Sequence, residues 1–491
     1  MSRLRLAVAA WAVSVVGATA AWADPPPAEE DREAEMFGED DAPAPESAPP
    51  ASAPPASAPP ASAPSAGASS GGNNGSTSAE DFGDARMAPV ELEAADKDRL
   101  QIGGLLYLRN GLSLNEIDPW ARQPLTISNL TDVYLDARPN DRVRGFVRGR
   151  LLWTPTIGDA NSAGLLGFST GSSELSPQLV ELWLKFDVAR RVFLTVGAQQ
   201  VRFGATRLWN PVDVIYAQRR SPLTLFDQRT GLPMLKLHVP IDSLGWNAYV
   251  LAVADGATRL RDFGLVGRLE MVLSTFEIGL LAKKQLGSDP RFGLDVSAGI
   301  WEFDVGLEVG VRRDAAGALH WMTSAKLEHT IKLNDEDNLI WGVEGFFNPE
   351  GAGSLQTALD QIESSLTTSM ATGGSVGLPF QPFYVGRWYA AIFMLLMGPG
   401  SWNDTNFTMS ALTNFSDGSG TVRLDVSQTL HQHLRIEAYG AANLGSDGEF
   451  RFYTSGLKER FGPLLKAAGQ DPDTLFKRPV GQFGVNLRIT L

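Results

Sequence analysis

From Arg99 onward the chain alternates apolar and polar residues with a period of two. Phe303, Val305, Leu307, Val309 and Val311 interleave with Asp304, Gly306, Glu308, Gly310 and Arg312. Leu319, Trp321, Thr323, Ala325, Leu327, His329 and Ile331 interleave with His320, Met322, Ser324, Lys326, Glu328 and Thr330. Leu434, Ile436, Ala438, Gly440 and Ala442 form one face of a third run, against Arg435, Glu437, Tyr439, Ala441 and Asn443. Side chains of a strand point alternately to its two faces, so each run predicts a strand with one apolar and one polar face. About eighteen such runs lie between 100–113 and 481–491, most of them near the ~9–11 residues that cross a bilayer at a tilt.

The connections separate this reading from a soluble sandwich. Every second one is a short turn: Pro139-Asn140-Asp141, Ala189-Arg190, Pro240 to Ser243, Ser274, Trp301, and Asn334 to Asp337. The long ones, 154–177, 202–231, 349–383 and 445–480, all fall on the other side. Short turns at one rim and long loops at the other are expected of an outer-membrane barrel. Trp153, Trp246, Trp301, Trp321, Trp341 and Trp402 fall near strand ends, where amphipathic rings favour the headgroup level. The fold class is therefore all-β, a closed antiparallel transmembrane barrel of 16–18 strands over 99–491. Closure follows from the lipid, which offers no partner to an open sheet edge.

The polar faces then line the interior. Arg142, Arg144, Arg148 and Arg150 share one face of a strand, and Arg268 with Glu270, Lys326 with Glu328, Arg423 with Asp425 and Arg435 with Glu437 mix signs elsewhere. Such charges do not belong in a dry core, whereas a hydrated lumen removes their cost. The densest chemistry is in 202–231, with Arg202, Arg207, Arg219, Arg220 and Arg229 relieved by Asp213 and Asp227. A ring of arginines favours anions in a pore; the alternative is that they pair internally or with lipopolysaccharide. Leu355, Leu359, Ile362 and Leu366, and again Leu457, Phe461 and Leu464, have helical spacing within two other long connections.

The last strand, with Phe483, Val485, Leu487, Ile489 and Leu491 on one face, resembles that of the outer-membrane barrel family, although the terminal residue is Leu rather than the usual aromatic. The stretch from Gly197-Ala198-Gln199-Gln200 through Phe203-Gly204 to Asn210-Pro211-Val212-Asp213 is similar to segments of large porin-like barrels. The resemblance implies an outer-membrane location, insertion by the barrel-assembly machinery, and a third loop, 202–231, that folds inward as the constriction.

The N-terminus adds a second theme. Arg3 and Arg5, an apolar run from Leu6 to Ala21 and Ala21-Trp22-Ala23 predict a signal peptide over 1–23. Residues 24–98 carry a Ser-Ala-Pro-Pro-Ala repeat and Gly/Ser runs, which predicts a solvated, disordered tail. The net charge of −14 belongs to that tail, and the barrel region is close to neutral. No basic face or reader motif supports nucleic-acid binding. There is no cysteine, no nucleophile motif and no phosphate-cradling loop, and the His431/His433 pair lacks further ligands, so neither an enzyme nor a metal or other cofactor is expected. The function expected is passive diffusion of small hydrophilic solutes, with an anionic bias. Alternatives left open are a plugged barrel that anchors the tail and an exporter of an anionic polymer. The band Trp388 to Met397, apolar on both faces, is a candidate contact for a homo-oligomer.

Overall fold

The computed structural model describes residues 99–491 except 117, 156–174, 190, 217–218, 220–221, 223–228, 335–336, 373–382 and 468–470. The signal peptide and the tail lie outside the described residues, as do Arg220 and Asp227.

Eighteen long antiparallel strands form one closed sheet. In chain order they are β1 (Leu100–Asn115), β2 (Asn129–Asn140), β3 (Val143–Trp153), β4 (Leu175–Val188), β5 (Val192–Gln199), β6 (Leu232–Ile241), β7 (Trp246–Val253), β8 (Gly264–Leu273) and β9 (Phe276–Lys284). The second half comprises β10 (Arg291–Ile300), β11 (Phe303–Arg313), β12 (Leu319–Lys332), β13 (Asn338–Phe347), β14 (Trp388–Met397), β15 (Thr405–Asn414), β16 (Ser419–His431), β17 (Leu434–Gly445) and β18 (Pro479–Thr490). Each pairs with its sequence neighbours, and β1 pairs with β18 from Leu105↔Thr490 to Asn115↔Pro479, which closes the cylinder. A short extra strand, Leu125–Ile127, adds to β1 near the rim. Two helices, α1 (Leu355–Thr372) and α2 (Thr454–Ala467), occupy the two long connections where helical spacing predicts them.

The alternation decides the faces. Leu100, Ile102, Val133, Leu135, Leu182, Leu184, Leu280, Phe292, Leu307 and Val343 are exposed on the outer surface. Their neighbours in sequence, among them Asp132, Asp136, Arg150, Arg268, Asp295, Glu308, Lys326, Glu328 and Glu344, are buried on the inner one. Trp153, Trp301, Trp321, Trp388 and Trp402 are exposed, as an aromatic girdle requires. At one rim the turns are tight: Ser274 and Trp301 take left-handed φ of 61° and 58°, suiting two-residue hairpin turns whose twist matches that of the strands.

The loops that carry α1 and α2 meet at the other rim. Ala358, Leu359 and Ile362 of α1 pack on Tyr453, Leu457 and Phe476 of the last loop. Arg460 of α2 ties the pair with bonds of 2.6 Å to both Asp360 and Glu363 of α1.

Candidate functional site: the lumen and the loop inside it

The first part of the connection after β5, residues 200–216, lies inside the barrel, with most of 201–216 buried. It starts from β5 and reaches β13 and β14, about half the circumference away. Two wall carboxylates hold it there. Glu344 on β13 accepts the backbone N–H groups of Arg207 (3.0 Å), Leu208 (2.9 Å) and Trp209 (2.7 Å), together with the Ser324 hydroxyl (3.0 Å). Glu308 on β11 accepts from the Thr206 N–H (2.7 Å) and hydroxyl (2.6 Å), the Asn210 amide (3.1 Å) and the Val212 N–H (3.2 Å). An irregular segment carries backbone donors that must be paired when buried.

Glycines give the loop its seat. A Cβ on Gly310 would sit 2.3 Å from the Pro211 carbonyl, and one on Gly306 would sit 2.8 Å from that of Ala205. On the loop side, Gly204 has φ +123°, and a Cβ there would meet the Glu308 carboxylate at 2.4 Å. Thus Gly306, Glu308 and Gly310, on the inner face of β11, work as alternating socket and clamp. Trp209 completes the docking, fully buried and stacked on Phe346 at 5.6 Å, with its indole N–H on the Phe383 carbonyl at 3.0 Å. This explains why Trp388 to Met397 is apolar on both faces. Its inner residues Tyr389, Ala391 and Phe393 cluster with Leu208 and Trp209, and its outer ones face the membrane.

The arginines anticipated in this loop have varied surroundings. Arg202 bonds Asn210 Oδ1 (3.0 Å) and the Arg207 carbonyl (3.2 Å). Arg207 pairs with Glu328 at 3.4 Å and lies over the Phe393 ring at 4.2 Å. Arg229 pairs with Asp213 at 2.9 Å and stacks on Tyr216 at 4.0 Å. Arg219 lies over Tyr384 at 4.7 Å, and burial holds that tyrosine hydroxyl above its ordinary range.

On the wall, Arg150 makes two 2.7 Å bonds to Asp132, and Arg144 bonds Asp136 at 2.8 and 2.9 Å. Arg148 reaches Glu181 at 3.3 Å and Gln200 at 2.9 Å. Arg142 sits exposed in the turn before β3. Across the next strands the pairing register sets Arg144 opposite Lys185, Lys185 opposite Thr195, and Thr195 opposite Lys236, one continuous row on the inner face. Lys185 and Lys236 have no carboxylate within ion-pair distance among the described residues; the Lys185 ammonium lies 5.3 Å from the Phe193 ring. Sequence reasoning missed these two lysines and the two clamping glutamates. Period-two parity places all four on the inner face, but not which of them a loop would cover.

A closed antiparallel cylinder of eighteen strands, with an apolar outer face and a loop folded into its lumen, is the architecture of a transmembrane β-barrel. No family model matches the chain, and no curated protein matches it in sequence. Its fold is similar to that of OccK9 (OpdG) of Pseudomonas aeruginosa, at 9% identity and a TM-score of 0.50 over 80% of this chain and 98% of that one. OccK2 (OpdF) of the same organism matches over 80% of this chain and 97% of its own, at 9% identity and a TM-score of 0.48. OccAB3 of Acinetobacter baumannii covers 80% and 99%, at 10% identity and 0.47.

Proposed function

We propose that the protein is a channel for passive diffusion of small hydrophilic solutes across the outer membrane, with a bias toward anions. The observation that carries the bias is the Arg144–Lys185–Thr195–Lys236 row. Like charges facing each other across strands are destabilising. Arg144 is paired with Asp136, whereas neither lysine has a carboxylate within ion-pair distance among the described residues. A hydrated pore tolerates them, and mobile anions are their natural counter-charge. Within the loop, Arg219 is the arginine best placed to add to this field. Arg207 and Arg229 are held by Glu328 and Asp213.

Reversal potentials under a salt gradient test the reading. The wild type should favour anions, and Lys185→Glu with Lys236→Glu should move the ratio toward cations. Arg219→Glu with Arg220→Glu should move it the same way if 202–231 lines the passage. A wild-type ratio of unity that no pair alters would sink the anion bias and leave the channel standing. The depth to which Trp209 and its neighbours fill the lumen favours a second reading, a plugged barrel that anchors its tail. Conductance separates the two, since a plugged barrel gives no discrete steps.

A further inference from the structure

At the long-loop rim, away from the lysine row and the docked loop, two carboxylates are buried side by side. Glu449 lies in a short turn after β17, and Asp417 lies in the turn between β15 and β16; both are shielded from solvent. They share one donor: the Asn414 amide nitrogen is 2.9 Å from Glu449 and 3.0 Å from Asp417. Tyr389 donates to Glu449 at 2.5 Å, and the Phe383 N–H does so from the end of the loop carrying α1. Asp417 accepts from the Glu449 N–H (2.9 Å) and the Tyr453 hydroxyl (3.1 Å), just ahead of α2, and from Ser419 (2.7 Å).

The cluster thus joins four segments: the two long loops, the β15–β16 turn and the rim of β14. Its titratable members are Glu449, Asp417, Tyr389 and Tyr453, and Asp447 adds a third carboxylate near Tyr453. Neither Glu449 nor Asp417 forms an ion pair with a lysine, arginine or histidine among the described residues. Two carboxylates buried side by side without a cation cannot both ionise cheaply, so one holds its proton to unusually high pH.

We propose that Glu449 and Asp417 form a pH-operated latch, which locks the rim segments 383–389 and 446–467 together when Glu449 is protonated and loosens them when it ionises. Burial, and then the Asp417 charge, push the Glu449 carboxyl up to about 7. Its proton is bound more tightly in the folded rim than in an opened one. The latch is therefore fully engaged below the ordinary glutamate range and is lost as pH rises through about 7.

The test is amide hydrogen exchange of folded, detergent-solubilised protein from pH 5 to 9, corrected for intrinsic exchange, read over residues 446–467 and 383–389. Protection should fall by about tenfold or more across a transition near neutrality, while the strands of the opposite wall, β2 to β6, stay level. Glu449→Gln, which resembles the protonated acid, should keep protection high throughout. Asp417→Asn should move the transition to lower pH. Flat wild-type protection over the whole range overturns the latch, and so does an unchanged transition in Glu449→Gln. If either variant fails to fold, the wild-type profile alone decides. The readout does not depend on conduction, so it stands or falls separately from the proposed channel.

Discussion

Replacing Glu344 by alanine should release the inner loop, and the size of the effect follows from the hydrogen bonds it breaks. The carboxylate is buried and caps three consecutive N–H groups, those of Arg207, Leu208 and Trp209. A buried donor left without an acceptor costs about 1–3 kcal/mol. Water entering the space of the lost side chain should bring each donor to the low end of that range. Three donors then give roughly 3 kcal/mol, a bias of about a hundredfold against the docked state at 1.4 kcal/mol per factor of ten. Glu308 still grips Thr206, Asn210 and Val212, so the loop should detach at its tip first. Single-channel recording in planar bilayers is the assay. Glu344→Ala should raise the mean conductance and its noise, and Glu344→Ala with Glu308→Ala should raise both further. Wild-type conductance in the double variant, with heat-modifiable migration intact, would refute the idea that these carboxylates hold the constriction.

Three further expectations concern other parts of the account. Gly310→Val should widen the channel without removing a charge, because a Cβ at 2.3 Å from the Pro211 carbonyl unseats the loop; unchanged conductance would argue against the glycine socket. Arg150→Ala should strand the buried Asp132 and cost about 3–5 kcal/mol, lowering the temperature at which the folded band converts on a detergent gel. Arg150→Met with Asp132→Leu should restore much of that loss, and failure to do so would mean the pair matters for more than mutual neutralisation. Deleting 24–98 behind an intact signal peptide should leave conductance and heat-modifiability as they are, since closure uses only β1 and later strands; an unfolded product would show that the tail takes part in assembly.

The barrel is legible in the sequence because its rule is local. Whether Leu307 faces outward and Glu308 inward is set by parity alone, and the rim assignment needs only the lengths of the connections. The helical spacing of Leu355, Leu359 and Ile362 is local in the same sense. The interior of the site is not local. Glu308 and Glu344 look like any other lumen carboxylates until a loop 96 to 137 residues earlier lays its backbone on them. Gly306 and Gly310 read as gaps in a polar face, although two glycines on the inner face of one strand are a usable sign of close backbone approach. The loop arginines were visible as a cluster, but sequence could not apportion them among Glu328, Asp213 and the open lumen. That depends on which wall the loop crosses to.

The central claim is a water-filled cylinder narrowed by its own loop, and conduction by the unmodified protein tests it most directly. Purified protein whose unboiled and boiled forms migrate differently should, in a planar bilayer, open discrete ohmic steps of uniform size. A folded, heat-modifiable sample that inserts and yet leaves the bilayer silent would contradict the channel and leave only the barrel.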